Sequence, residues 1–203
     1  VEVMSILIKR VFDLFISLLG ILITLPIMII IILLIKSTSE GPVFFKQERL
    51  GKNGKVFKII KFRTMIDNAE QIGTGVITFE NDPRITKVGS FLRKTSLDEL
   101  PQLINVLKGD MSIVGPRPPV PYHPKKYEEY SEYEKKRFNV KPGITGYAQV
   151  NGRNNLTWEQ RINMDVYYVD NRSFLLDLKI IFLTMLKVLK REDIHSKDII
   201  KRY

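Results

Sequence analysis

LFISLLGILITLPIMIIIILLI, Leu14 to Ile35, runs for 22 residues without a charge. At about 1.5 Å per residue it reaches about 33 Å as a helix, enough for the hydrocarbon core of a bilayer. A cleavable signal peptide fits poorly: the run is too long for an h-region, and no A-x-A-like site follows it. The fold must therefore be built around a membrane-inserted segment. Lys9 and Arg10 precede the run, and Lys36, Lys46, Arg49 and Lys52 follow it. Basic residues are retained on the cytoplasmic side, so both ends are drawn to the same face. Pro26, two residues after Thr24, removes a backbone donor and crowds the carbonyl four residues back, which predicts a bend. Two topologies stay open at this point. One is a single span that tolerates the proline. The other is a helix bent at mid-depth that enters and leaves by one face, its bend protected by polar or protein contacts.

The 203 residues suit a single domain with a real core. Without cysteine, disulfides and zinc-thiolate sites are excluded. His123 and His195 are too far apart in sequence to suggest a histidine metal site, so any metal is a hard cation on oxygen ligands. A net charge of +10 implies an anionic partner: nucleic acid, an acidic membrane surface or phosphorylated substrates.

Beyond Pro42 the pattern changes. PVFFKQERLGKNGKVFKIIKFRTM reads as a β-hairpin around Asn53-Gly54. Seven Lys or Arg against the single acid Glu48 between residues 46 and 63 predict contact with lipid headgroups, at about 1 kcal/mol per charge. A polar loop with NDPR (81–84), a helix from about Ser96 to Leu107, a turn-rich GPRPPVPYHP and a charged helix over about 124–138 follow. KPGITGYAQVNGRN is a glycine-rich loop, and WEQRINMDVYYVDN is helical in pattern. FLLDLKIIFLTMLKVLK (174–190) is apolar nearly all round, with Asp177, Thr184, Lys187 and Arg191 on one narrow stripe. It belongs either in the core or in the membrane interface.

KTSLDELP (94–101) carries adjacent carboxylates, Asp98 and Glu99. One reading is a capping box, Ser96-x-x-Glu99, ahead of an apolar helix. Proline is harmless only in a helix's first turn, so Pro101 starts the helix near Ser96–Asp98 and puts both acids at its positive end. There an ionised aspartate can attack phosphorus, and a neighbouring glutamate can hold Mg²⁺ against phosphate oxygens.

These stretches resemble one family. KRVFDLFIS, the hairpin segment, NDPRITKVGSFLRKTSLDELPQLINVLKGDMSIVGPRP, KPGITGYAQVNGRN, MDVYYVDN and FLLDLKII occur in the order of the monotopic phosphoglycosyl transferases, in the minimal form of the bacterial sugar transferase domain. The resemblance implies an α/β fold, mostly helical with a small hairpin or sheet, forming a single domain over 1–203. A re-entrant helix over about 9–36, broken at Pro26 with Thr24 beside it, would anchor a cytoplasmic part over about 41–203 with interfacial amphipathic helices. Leu25 stands where the family's motif has serine. The implied activity is transfer of a phospho-sugar from a UDP-sugar to polyprenol (undecaprenyl) phosphate, with release of UMP, on the cytoplasmic face of the bacterial inner membrane. By the same resemblance Asp98 attacks the β-phosphorus and Glu99 binds Mg²⁺, while Lys61, Arg84, Arg93, Arg117 and Asp165 attend the substrate. The GITG loop is a candidate uridine contact. Downstream glycosyltransferases would take the product. Without the additional spans of larger members, the chain is expected to carry out the first membrane step alone. A nucleic-acid partner is disfavoured by the apolar run and the lack of a binding motif. A non-catalytic membrane adaptor and an aspartyl-type phosphohydrolase are the alternatives, the first disfavoured by the intact acid pair.

Overall fold

The computed structural model describes residues 2–72, 75, 79, 82–152 and 155–190, which leaves Asn81, Arg191 and His195 outside it. The apolar run is the middle of one helix, α1 (Glu2–Thr38), whose backbone stays helical through Pro26. Leu7–Thr38 is long and apolar enough to cross a membrane. Near the proline, the Thr24 hydroxyl donates to the Gly20 carbonyl at 2.7 Å, the back-bonding that often bends helices.

This helix is inside-out. Its buried positions are Asp13, Ser17, Met28, Ile31 and Ile35, and Gly20 lies against Leu103. Spacings of three and four residues or their sums put these on one stripe. The opposite face exposes Leu18, Leu22, Ile23, Ile30 and Leu33. Both ends of the stripe dock on the same body. Asp13 accepts hydrogen bonds from the Ser112 hydroxyl and the Ile113 N–H, each at 3.0 Å. Arg10 donates to the Val106 and Leu107 carbonyls at 2.7 and 2.9 Å, satisfying the last turn of α3 (Gln102–Lys108). At the other end Met28, Ile31 and Ile35 pack with Phe62 and Leu92.

Strands β1 (Phe44–Leu50) and β2 (Val56–Phe62) form the expected antiparallel hairpin, with Phe45 opposite Lys61 and Arg49 opposite Phe57. Asn53 and Gly54 take the positive φ values, 56° and 73°, that make Asn-Gly a hairpin signal. Leu50, Ile59 and Phe62 each enter a different one of the three apolar clusters, so the hairpin joins the whole core. Helix α2 (Lys87–Thr95), capped by the Thr86 hydroxyl, lies against the chain leaving β2. A Cβ at Gly89 would stand 1.9 Å from the Thr64 carbonyl oxygen, so only glycine fits. Gly89→Ala should cost about 1–3 kcal/mol through overpacking against backbone. A thermal midpoint equal to that of the wild type would refute this.

Strands β3 (Ser112–Val114) and β4 (Gly143–Thr145) pair in parallel. Between them, the long charged helix expected over 124–138 is absent. Ser131 restarts the chain through a capping box with Glu134, leaving a short α4 (Glu132–Lys135) between single 3-10 turns. After α5 (Tyr147–Val150) come α6 (Trp158–Asp170) and α7 (Phe174–Lys190). α7 repeats the inversion of α1. Its Asp177 accepts from Lys9 at 2.6 Å and from the Tyr168 hydroxyl at 2.7 Å, and Thr184 pairs with Thr145 at 2.6 Å. Leu175, Leu178, Phe182, Met185 and Leu189 face outward. Among the described residues the architecture is mostly helical with two small sheets.

Candidate active site

Ser96 closes one helix rather than opening the next. Its φ is 58°, and its N–H donates to the Leu92 and Arg93 carbonyls at the end of α2. Its side chain does not cap the following turn, so the capping box does not form. Leu97–Glu99 make one 3-10 turn, and Pro101 leads into α3 at Gln102. The two carboxylates thus sit on a turn before the helix, where neighbours in sequence can face one space.

Asn105 sets what they face. Its side chain accepts from the Ile60 N–H at 3.0 Å and donates to the Lys58 carbonyl at 2.8 Å, extending β2 as another strand would. That clasp fixes α3, and with it the acid turn, beside Lys61. Glu99 Oε1 then receives Lys61 Nζ and Arg117 Nη2, each at 2.8 Å. Burial pushes the Glu99 carboxyl upward, but Arg117 and Lys61 outweigh it and hold the group well below the usual carboxylate range. Burial lowers Lys61, against the pull of Glu99. Asp98 is shifted the other way, raised by burial and then by the charge of Glu99. Among the described residues its carboxylate has neither a hydrogen bond nor an ion pair. Arg93 is held nearby by its Nε bond to the Thr64 hydroxyl at 2.8 Å.

Lys61, Arg93, Asp98, Glu99 and Arg117 line one cavity of about 610 Å³. A cavity of this size and charge accommodates a diphosphate. Among the described residues no three His, Asp or Glu gather as a metal cage. Mg²⁺ does not require one, because one or two carboxylates with substrate phosphates suffice. Glu99 fits that role: among the described residues Oε1 is taken by the two short bonds, while Oε2 has only Arg117 Nη1 at 3.5 Å.

The family model described as bacterial sugar transferase matches residues 4–191. The chain belongs to the bacterial sugar transferase family. It is 48% identical over 193 residues to the uncharacterized sugar transferase EpsL of Bacillus subtilis, covering 95% of this chain and 92% of that one. It is 46% identical over 188 residues to the UDP-glucose:undecaprenyl-phosphate glucose-1-phosphate transferase of Escherichia coli, covering 89% of this chain but 40% of that one. It is 44% identical over 192 residues to the galactosyl transferase CpsE of Streptococcus agalactiae, covering 89% and 42%. The chain thus spans nearly all of the first relative and about two fifths of the others.

Two residues expected at the substrate of this sugar transferase do not line the cavity. Arg84 is buried in a two-point pair with Asp82, at 2.9 and 2.7 Å. It also donates to the Ala69, Ile72 and Gly75 carbonyls, bracing a segment that forms part of the cavity wall. Asp165 is sealed in an ion pair with Arg137 at 2.6 Å. Arg137 in turn donates to the Arg117 carbonyl at 3.0 Å. Both residues act from behind the wall, because each spends its charge on a buried partner.

Conversely, sequence reasoning missed Arg49, Arg161, Gln149 and Asn105. Of the seven cations of the hairpin run, Lys46, Arg49, Lys61 and Arg63 line the cavity, while Lys52, Lys55 and Lys58 are exposed. The signal was the strand period: Phe45, opposite Lys61, shares its face with Gln47 and Arg49. The GITG loop reaches the cavity only through the following Ala148 and Gln149. Its Gly143 is needed elsewhere, since a Cβ there would lie 2.1 Å from the Gly115 nitrogen of the GPRP turn.

Proposed function

We propose that this sugar transferase moves a sugar phosphate from a UDP-sugar to polyprenol phosphate, undecaprenyl phosphate in bacteria. The observation that carries the reading is the unlike state of two adjacent acids. Glu99 is neutralised by Lys61 and Arg117, whereas Asp98 stands unpaired in the same cationic cavity. An unpaired carboxylate among phosphate-binding cations is placed to attack rather than to hold. The names of relatives agree: proteins from Escherichia coli and Klebsiella pneumoniae are named UDP-glucose:undecaprenyl-phosphate glucose-1-phosphate transferases, and one from Erwinia amylovora a UDP-galactose-lipid carrier transferase.

In the proposed sequence an Asp98 oxygen bonds to the β-phosphorus as the bond to the bridging oxygen breaks, and UMP leaves with that electron pair. An oxygen of the lipid phosphate then attacks the aspartyl phospho-sugar. The bond from phosphorus to Asp98 breaks, the carboxylate is restored, and a polyprenyl diphosphosugar is formed for downstream glycosyltransferases. Arg93 and Arg117 orient phosphate oxygens, and Lys61 keeps Glu99 ionised. Glu99 would hold Mg²⁺, which supplies charge neutralisation on the diphosphate when bound.

The anchor is read as re-entrant, with both ends on the cytoplasmic face. Supporting this, residues 10–13 and 28–35 dock on one body although about 33 Å of helix separates Asp13 from Ile35. A straight crossing would drag the polar partners of one end through the bilayer. Outward apolar faces on α1 and α7 support a body seated at the interface.

The test is UMP release across a panel of UDP-sugars with Mg²⁺, with and without undecaprenyl phosphate. Acceptor-dependent UMP from one donor, abolished by EDTA, is expected. Release that ignores the acceptor would indicate hydrolysis instead. No release from folded, membrane-inserted protein would favour an adaptor, and EDTA-insensitive turnover would remove the metal from Glu99.

A further inference from the structure

A second hollow of about 160 Å³ opens beyond the catalytic cavity and shares Arg49, Arg117 and Arg161 with it. Its floor is aromatic. His123 meets Trp158 edge to face with ring centroids 5.3 Å apart, and the Arg161 guanidinium lies 4.8 Å from the Trp158 ring centre. Nothing in the two-carboxylate chemistry requires this annex.

We infer that the annex of His123, Trp158 and Arg161 binds the uracil base of the donor, a deepening that rests on the transferase reading above. The strand register gives the direction. Phe45 lies opposite Lys61, which bonds Glu99, whereas Arg49, which lines the annex, lies opposite Phe57, about 13 Å of strand further along β1. A sugar joined directly to the β-phosphorus stays beside the acids, whereas the base, reached through the α-phosphate and ribose, extends away from them along the strand. Arg117 bridges the two regions, bonding Glu99 while lining the annex. A flat ring against Trp158 gains stacking, and every base has a face to offer. Two buried polar atoms on the route lack partners among the described residues: Arg49 Nε, a donor, and Gln149 Oε1, an acceptor. They match the acceptors and the hydroxyl donors of a nucleoside monophosphate. Burial, with Arg161 and Arg49 nearby, lowers the His123 pKa, so at neutral pH the imidazole is an uncharged aromatic partner.

Trp158 is the chain's one tryptophan, so its fluorescence reports on the annex directly. With the full chain in detergent micelles and Mg²⁺, UMP should change Trp158 emission saturably, at concentrations matching its competitive inhibition of UDP-sugar turnover. Trp158→Ala should raise the UDP-sugar KM and the UMP inhibition constant together by about ten-fold or more, with kcat nearly unchanged. Trp158→Phe should retain most of the affinity, which guards against a variant that merely misfolds. Competitive inhibition by UMP with flat emission and an unaltered Trp158→Ala would overturn the annex and spare the transferase reading. So would emission that answers to UDP-sugar but not to UMP, since the sugar would then occupy the annex. Failure of every UDP-sugar to turn over, with no response to UMP, would overturn both.

Discussion

Asp98→Asn should lower UDP-sugar turnover by about a thousand-fold or more while the protein melts at or slightly above the wild-type temperature. The two halves of this expectation have one cause. The fold raises the Asp98 pKa through burial and the neighbouring Glu99, so it disfavours the ionised form that the proposed reaction uses. A group whose folded pKa is raised carries its cost when charged, and replacing the charge with an isosteric amide removes it. The amide is also no nucleophile. The same shift sets the acid limb of the rate profile. As pH falls through the raised Asp98 pKa the carboxylate is protonated, so activity is lost above the usual carboxylate range. Glu99, held well below that range, remains ionised over the same interval. Wild-type turnover by Asp98→Asn would sink the mechanism, and a clear loss of thermal stability would sink the account of its charge.

Asp165→Asn should cost about 3–5 kcal/mol of stability, because it strips a fully buried guanidinium of its counter-charge. The side chains of Arg137 and Asp165 are 1% and 2% exposed, so water cannot take the place of the lost partner. The informative construction is a pair of changes. Arg137→Met with Asp165→Leu fills similar volume without charge and should restore most of the stability. It should not restore activity, since Arg137 also donates to the Arg117 carbonyl and steadies the turn that presents Arg117 to Glu99. A double variant that recovers both would make the pair a stabilising device alone. A single variant as stable as the wild type would contradict the buried-charge account.

The features legible in the sequence were those set by short-range signals. The apolar run, the Asn53-Gly54 hairpin and the bounds of α7 follow from composition and period within each segment. The carboxylate pair was legible too, and the family's motifs brought Lys61 and Arg117 to the same site as substrate contacts, although both bond Glu99. Ser96 misled because S-x-x-E satisfies a local rule, while the close approach of Gly89 to Thr64 fixes where α2 runs and Ser96 ends it. The resemblance placed Asp165 at the substrate, and its buried partner Arg137 lies 28 residues away, beyond any pattern a segment can show. Arg49 was lost in a run of like charges, where only the register separates the inward side chains from the solvated ones. For α7 the polar stripe was visible, but which side it faces depends on Lys9 and Thr145, far off in the chain.

The inverted stripe of α1 also imposes an order on biosynthesis. This helix leaves the ribosome before the body it docks on: the groups that satisfy Asp13 come about a hundred residues later, and the partner of Lys9 comes 168 residues later. Until then Lys9, Arg10 and Asp13 lack the partners that hold them in the folded chain. The anchor is in place long before it is locked. With α1 as the proposed anchor, the nascent chain would be tethered while its catalytic body is still being made, and α7 would close the assembly when Asp177 reaches Lys9. Truncation ahead of α7 should leave a chain that reaches the membrane but never completes its site.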